Sequence, residues 1–369
     1  MENIGVTGAF GFLGANFVAA LAQEGKAFPE SPRKTRIVAF ASKTRSNPLF
    51  SNDAVTVTGL NVLDRQSLTS KFAGLDAVVH FAGKVDYSRR HKKEVWDIDV
   101  LGAKNVFEAA FAAGVKRVVY ISSICALGPG GSPSGGLADE KSAPYGNPGW
   151  PISFASPQEA LDAVKASESG DYRFLERMRV AYFDAKLAGW ELAKRYALEY
   201  GRPIVTVFPG TAVGPGDLHD SISRLVGKVW DGELRVAPGG ATAFMDSRDF
   251  GEGVVLALRK GRPGEGYILA GQDGHNLRYA EFMGLIAKVA RERGGRGAKR
   301  IATAPRGLSL AAASIAEAVL PSSGLSSALV LSGQMRNVCS SAKAMRDLGY
   351  APRPSLEESI AACRNFGKA

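Results

Sequence analysis

Three observations predict an α/β protein built on a doubly wound parallel sheet. Short apolar runs rich in Val and Ile alternate with segments of helical periodicity through the first 209 residues. The runs are continuous rather than alternating, the pattern of strands buried on both faces of a parallel sheet. The first run, residues 4–7, ends in glycines at 8, 11 and 14 and opens directly into a helical segment.

In chain order, strands are expected at 4–7, 37–40, 55–60, 77–81, 118–122 and 204–208, with helices at 14–23, 64–72, 95–113 and 180–200. Such alternation puts a ligand site at the carboxyl ends of the strands. The glycine turn after the first strand suits a pyrophosphate, because a side chain there would hold the backbone away. The helix that follows offers free N–H groups and a partial positive charge. Residues 128–179 break the rhythm: 129–136 are Gly, Ser and Pro, and a charged helical piece is expected at 157–169. After residue 208 the pattern is mixed, with helices expected at 278–293 and 308–319. This divides the chain into a nucleotide-binding part, 1–209, and a smaller substrate-binding part, 210–369, some of whose segments return to the first.

Composition narrows the function. The net charge is +10, concentrated in part at Arg89-Arg90-His91-Lys92-Lys93 and at Arg291, Arg293, Arg296, Lys299 and Arg300. Such clusters either attract an anionic partner (a nucleotide, an anionic substrate, a membrane surface) or are solvated loops and helix ends. No nucleic-acid-binding module is discernible. The longest apolar stretch, 308–320, is too short to span a bilayer and carries Glu317. Three distant cysteines and a first strand at residue 4 lead to the expectation of a reducing, cytoplasmic setting with no leader peptide. Four isolated histidines lack metal-ligand spacing, so no metal is expected.

Tyr182 and Lys186 are four apart in a helical segment and share one face, with Cβ atoms about 5–6 Å apart. A phenol with a reference pKa of about 10 needs roughly 4 kcal/mol of help to move by about 3 units, and a neighbouring ammonium works in that direction. The fifth strand ends in Ser122-Ser123, at the level where a serine hydroxyl can meet the same substrate oxygen. Cys125 and His80 read as packed residues rather than as reactive groups.

At this point the chain resembles the extended short-chain dehydrogenase/reductases. The resemblance rests on Thr7-Gly8-x-x-Gly11-x-x-Gly14, His80-Phe81-Ala82-Gly83, the Ser122-Ser123 strand end and Tyr182-x-x-x-Lys186. It extends to the segment from Pro209 through Gly214-Pro215-Gly216-Asp217, to Met245-Asp246-Ser247-Arg248-Asp249-Phe250 and to Leu348-Gly349-Tyr350. The later segments are most similar to a dihydroflavonol-reductase-like and 3β-hydroxysteroid-dehydrogenase-like branch. The resemblance implies a Rossmann-type sheet with a smaller C-terminal α+β substrate domain. It implies Tyr182 as general acid/base, Lys186 as ribose ligand and Ser123 as the catalytic serine. Gly8, Phe10, Gly11, Phe12 and Leu13 would wrap the pyrophosphate. Asn61 and Val62 would meet the adenine, with Asn61 standing where the family usually has Asp. Ala82, Gly83 and Lys84 would pass the ribose, and Pro209 would face the nicotinamide.

The second strand ends without an acidic residue, and Ser42, Lys43 and Arg45 could hold a 2′-phosphate, so NADP(H) is favoured, with NAD(H) left open. The expected reaction is reduction of a ketone, or oxidation of a secondary alcohol, on a small molecule with a sizeable apolar body. A nucleotide-sugar epimerase with retained NAD and a non-catalytic nucleotide-binding regulator are the alternatives. The segment 128–179 is expected near the site as a lid ordered by substrate, its apolar residues packing over the ligand and 130–136 mobile without it, or else as an oligomer contact of a homodimer.

Overall fold

A seven-stranded, all-parallel sheet runs in the order β10 (Gly266–Leu269), β6 (Ile204–Pro209), β5 (Arg117–Ile121), β4 (Ala77–His80), β1 (Asn3–Thr7), β2 (Arg36–Ala41) and β3 (Val55–Gly59), with the amino-terminal strand next to its middle strand. The molecule is represented by a computed structural model that describes residues 1–27, 35–42, 46–51, 55–129, 136–147, 149–218, 222–272, 275–319 and 326–366. The chain runs outward from β1 through α1 (Phe12–Ala27), β2 (Arg36–Ala41), β3 (Val55–Gly59) and α2 (Arg65–Phe72). It then crosses back to β4 (Ala77–His80) on the other side of β1 and continues through α3 (Lys92–Trp96), α4 (Gly102–Ala112) and β5 (Arg117–Ile121). α5 (Pro157–Glu168), α6 (Ala181–Leu198) and β6 (Ile204–Pro209) follow. The reversal between β1 and β4 is the switch point at which a doubly wound sheet opens a crevice.

The carboxyl-terminal part adds β7 (Thr211–Val213), α7 (Ile222–Trp230), β8 (Val236–Ala237), β9 (Ala241–Asp246), α8 (Ser247–Lys260) and β10 (Gly266–Leu269). After these come β11 (Asn276–Arg278), α9 (Tyr279–Glu292), β12 (Ala302–Thr303), α10 (Arg306–Val319), α11 (Ser327–Gly333), β13 (Arg336–Asn337), α12 (Ala342–Leu348) and α13 (Leu356–Phe366). β10 rejoins the large sheet beside β6, while β7, β11 and β13 pair with β9 in a second, smaller sheet.

The strands are where continuous Val/Ile runs predict them, because both sheet faces are covered. Ile4 and Val6 pack with Phe17, Val18 and Val254 on one face, and Val78 and Val118 pack with Leu68, Val106 and Leu192 on the other. The glycine turn shows why those residues are needed. Gly8 has φ +68°, and a Cβ there would lie 2.8 Å from the Ala82 nitrogen. A Cβ at Gly14 would lie 2.2 Å from the Gly8 carbonyl oxygen, so helix and turn close onto each other.

Two expectations differ from the structure. The single helix expected at 95–113 is two helices joined by one wide turn at Asp97–Leu101, closed by a bond from the Gly102 N–H to the Asp97 carbonyl five residues back. Such turns re-aim side chains and are common at functional sites; here Asp99 is buried within it. The second difference is the segment 129–179. Its described apolar residues pack into the body of the protein and do not line the cleft: Trp150, Phe154, Val164 and Leu175 belong to the core cluster around α6, and Phe174 packs on Trp96 with ring centroids 4.7 Å apart. The Trp96 indole donates to Ser167, and the Glu140 carboxylate accepts from the Ile268 backbone. Apolar side chains gain free energy wherever they leave water, and here α6 and its neighbours bury them. Within the stretch expected to be mobile, residues 130–135 lie outside the described residues.

Candidate functional site

A cleft of about 680 Å³ lies over the carboxyl ends of the central strands. One end is built from the glycine turn: Gly8, Gly11, Phe12, Leu13 and Gly14 line it. A Cβ at Gly11 would meet the Gly8 oxygen at 3.3 Å and otherwise project into open space, so the turn presents bare backbone to the cleft. With the amino-terminus of α1 beside it, this cradle fits a pyrophosphate. The other end is walled by Ile124, Cys125, Phe183 and the tyrosines 87, 182 and 279, with Thr242, Ser332 and Asn337 as polar groups.

Tyr182 and Lys186 reach the cleft from the first turns of α6, whose residues 181–193 are all buried. The strand-end serines separate in role. The Ser122 hydroxyl donates to the Lys186 carbonyl (3.2 Å), tying β5 to α6, while Ser123 caps the following turn by accepting from the Cys125 N–H (3.2 Å) and lines the cleft with Tyr182. The Lys186 ammonium lies 5.7 Å from the Tyr182 ring centroid and forms an ion pair with Asp99 Oδ1 at 2.7 Å. The Lys84 backbone N–H donates to the other Asp99 oxygen (2.8 Å). Gly83 brings the chain close to this pair; a Cβ there would be 2.7 Å from Asp99 Oδ1 and 3.1 Å from Lys186 Nζ.

The expected lowering of the phenol's pKa combines Lys186 with a bound cationic nicotinamide; the chain's own groups act as follows. Burial pushes Tyr182 well above 10, the Cys125, Tyr87 and Asp99 groups add to this, and only the Ser123 hydroxyl works the other way. The charge of Lys186 is largely met by Asp99. These surroundings favour the protonated phenol. Burial also raises Cys125 to about 11, leaving a neutral thiol. His80 is lowered to about 3 by burial and then by the Lys186 charge; it hydrogen-bonds Thr7 Oγ1 (2.7 Å) and stacks on Tyr120. Both behave as packed residues.

Of the residues singled out in the sequence, Gly8, Gly11, Phe12, Leu13, Gly83, Lys84, Ser123, Tyr182, Lys186 and Pro209 line the cleft. The Lys84 ammonium is engaged by Glu94 at 2.6 Å. Phe10 buries its ring against Phe50 and leaves its carbonyl to Asn47. Asn61 folds back on the Leu63 N–H, and Val62 is packed and 7% exposed. Neither these nor Ser42 and Ala82 form part of the cleft wall, and Lys43 and Arg45 lie outside the described residues. Asp99 was not singled out, although a carboxylate sharing an apolar face with Trp96, Ala103 and Val106 is a visible signal. Tyr279, Ser332 and Asn337 carry no local signal at all.

A doubly wound sheet with a glycine cradle at its switch point and a Tyr-Lys helix beside it defines a dinucleotide-binding α/β protein. The model of the NAD dependent epimerase/dehydratase family matches residues 4–270, and the chain belongs to that family, within the extended short-chain dehydrogenase/reductases. It is an NAD(P)-dependent enzyme of the oxidoreductase type. Among curated proteins it is similar to "Sterol demethylase protein B" of Methylococcus capsulatus, 28% identical over 302 residues covering 82% of this chain and 77% of that one. It is similar also to the "Putative dihydroflavonol 4-reductase" of Synechocystis sp., 26% identical over 366 residues covering 96% and 92%. Among solved structures, the dTDP-glucose 4,6-dehydratase DesIV of Streptomyces venezuelae with NAD and TYD bound shares the fold (TM-score 0.71, 20% identity, 100% of this chain and 97% of that one). So does RMD of Pseudomonas aeruginosa with NADPH (TM-score 0.62, 18% identity, 99% of each chain). Among the described residues no helix is long and apolar enough to cross a membrane.

Proposed function

We propose that the protein is an NADP(H)-dependent reductase of a ketone carried on a sizeable, uncharged, apolar substrate, with Tyr182 as proton donor. The observation that carries this reading is the cleft's division into two chemically distinct ends. The glycine cradle, Lys84 and Lys186 lie at one end. The substrate end is rich in aromatic and aliphatic side chains and, among the described residues, presents hydroxyls, an amide and a thiol but no cation for a sugar nucleotide's phosphates. Thr242, Tyr279, Ser332 and Asn337 come from beyond residue 209, which supports a division of labour between 1–209 and 210–369. The sterol and dihydroflavonol in the relatives' names are ring systems of the same kind.

A dinucleotide held by the glycine cradle would supply the hydride. Ser123 and Tyr182 hydrogen-bond the substrate carbonyl oxygen, and the Tyr182 phenol gives its proton to that oxygen as charge builds on it. Lys186, held by Asp99, keeps its ammonium near the phenol, where it would meet the ribose of the dinucleotide. A proton donor is what reduction needs, and the buried phenol is one. Packing of the apolar wall against the substrate excludes water from this transfer.

The 2′-phosphate preference rests on residue type: Ser42, Lys43 and Arg45 are cationic or hydroxylic, with no acid to bind a free 2′-hydroxyl. A fluorescence titration is expected to give tighter binding of NADPH than of NADH, and Lys43→Ala with Arg45→Ala to remove most of the difference; equal affinities in the unmutated protein refute the preference. For the reaction, NADPH consumption is followed across a panel of polycyclic ketones, flavonoid ketones and nucleotide sugars. Interconversion of a nucleotide sugar without net cofactor consumption, and no turnover of any ketone, would place the protein among epimerases.

A further inference from the structure

We propose, resting on the reading of the cleft as a ketone-reductase site, that Asn337 is a specificity residue whose amide selects a ketone bearing a second, hydrogen-bond-donating group, a hydroxyl. Asn337 closes β13 and lines the cleft. An asparagine amide offers two donors and an oxygen that takes two bonds. The fold uses almost none of that capacity here. Oδ1 is buried and, among the described residues, has no hydrogen-bond partner. Nδ2 has the soft Cys125 Sγ, 3.8 Å away. Buried polar atoms of a folded chain are ordinarily paired, and an unpaired one calls for a reason.

Asn276, in β11 on the other side of β9, shows what an asparagine that serves the fold does. Its Nδ2 donates to the Cys339 carbonyl (3.0 Å) and its Oδ1 accepts from the Cys339 N–H (2.9 Å), tying β11 to the segment after β13. Other polar side chains around Asn337 are provided for in the same way. Thr242, its register partner on β9, shares a hydrogen bond with the Thr211 hydroxyl (2.9 Å), and the Ser332 hydroxyl donates to the Leu329 carbonyl (2.8 Å). Thr211, Thr242 and Ser332 all line the cleft. Among them Asn337 keeps an acceptor that the fold leaves unpaired.

The unpaired atom decides the chemistry of its ligand. A hydroxyl gives Oδ1 the donor it lacks; a second carbonyl, an ether oxygen or a carboxylate does not. The terminal torsion of an amide is broad, so rotation about it can turn the oxygen to a ligand in the cleft. Nδ2 reaches Cys125, two residues beyond Ser123. The amide therefore stands beside the turn that carries Ser123, and the hydroxyl it holds is a second group, separate from the carbonyl oxygen that Ser123 and Tyr182 would meet. A site built to hydrogen-bond a substrate hydroxyl discriminates strongly against the analogue without it, because its own polar group is then left unpaired. The substrate class is thus a hydroxyketone with an apolar body.

The test uses the full chain, NADPH and matched ketones: androstanone and flavanone, each beside its monohydroxylated isomers. The unmutated protein is expected to turn over at least one isomer with kcat/KM at least ~10-fold above that of its parent ketone, and Asn337→Leu to bring that ratio near one. Asn337→Ala, which removes the amide without adding bulk, is read in parallel, and NADPH titration shows which variants are folded. Asn276→Leu is the structural control, expected to lower both members of a pair alike and leave their ratio in place. A ratio near one for every isomer in the unmutated protein overturns the proposal, as does a preference that survives in the folded Asn337 variants. If no ketone is turned over, the reductase reading fails, and calorimetric titration of the same pairs with NADP⁺ present decides the role of the amide by itself. A binding preference for a hydroxylated isomer that is lost in the Asn337 variants upholds it; equal binding within every pair, or no binding at all, overturns it.

Discussion

Asp99→Asn isolates the role of the buried ion pair. The substitution keeps the shape of the side chain and an acceptor for the Lys84 N–H, now 2.8 Å away, but removes the negative charge 2.7 Å from the Lys186 ammonium. Side-chain exposures of 0% for Asp99 and 8% for Lys186 mean that water cannot replace the lost partner. Breaking a buried pair by removing one member costs about 3–5 kcal/mol, chiefly because an unpaired charge stays behind. For a chain of 369 residues, at about 2.1 cal/mol/K of unfolding entropy per residue, that is a fall in melting temperature of about 4–6 °C. The same change acts on Tyr182. Asp99 is one of the groups holding the phenol up, so neutralising it lets the phenolate form at lower pH. Alcohol oxidation, which uses the phenolate as base, should then show its acid limb shifted to lower pH in a profile of kcat. Differential scanning calorimetry and the pH profile are read together. An unchanged melting temperature with an unmoved acid limb would show that the pair neither stabilises the fold nor sets the phenol's ionisation.

Three further predictions address separate parts of the molecule. Tyr182→Phe keeps the ring and loses the proton donor, so turnover should fall by ~10²–10⁴-fold while NADPH titrates as before; near-normal turnover would identify a different donor. Gly14→Ala places a methyl group 2.2 Å from the Gly8 oxygen, which should cost about 1–3 kcal/mol and weaken dinucleotide binding, both absent if the turn relaxes freely. Burial raises the carboxyls of Asp184 and Asp249 from 3.8 to about 7, so the folded protein holds protons that the unfolded chain releases. Stability from each is complete below about pH 4 and is lost as pH rises through about 7, at up to about 1.4 kcal/mol per pH unit. Asp184→Asn should remove about half of that slope in urea unfolding measured from pH 5 to pH 7, and an identical slope would refute the assignment.

The parts of the site legible in the sequence are those governed by local geometry. Gly8, Gly11 and Gly14 declare a turn that must bring backbone close to backbone, and Tyr182 and Lys186 declare a shared helix face by their spacing. The structure places all five on the cleft. Asp99 shows a local signal in the apolar face it shares with Trp96, Ala103 and Val106, but its partner Lys186 lies far along the chain, and only the fold brings the two together. The residues between 129 and 179 were misleading for a different reason. Trp150, Phe154 and Leu175 are apolar whether they close over a ligand or fill a core, and composition does not distinguish the two.

What the sequence determined by itself is therefore the architecture and the candidate pair: strand runs buried on both faces, the glycine cradle, and the tyrosine with its lysine one turn on. These follow from short-range sterics and periodicity, which each segment carries alone. Only the tertiary structure decided the surroundings of that pair and the shape of the far end of the cleft. The protonated form of Tyr182 is favoured by burial and by Asp99, 83 residues earlier in the chain. The far wall is made by Tyr279, Ser332 and Asn337, brought to the active end of the sheet by packing across the fold. Burial and long-range Coulomb interactions depend on which surfaces meet, and that is a property of the folded chain rather than of any stretch of it.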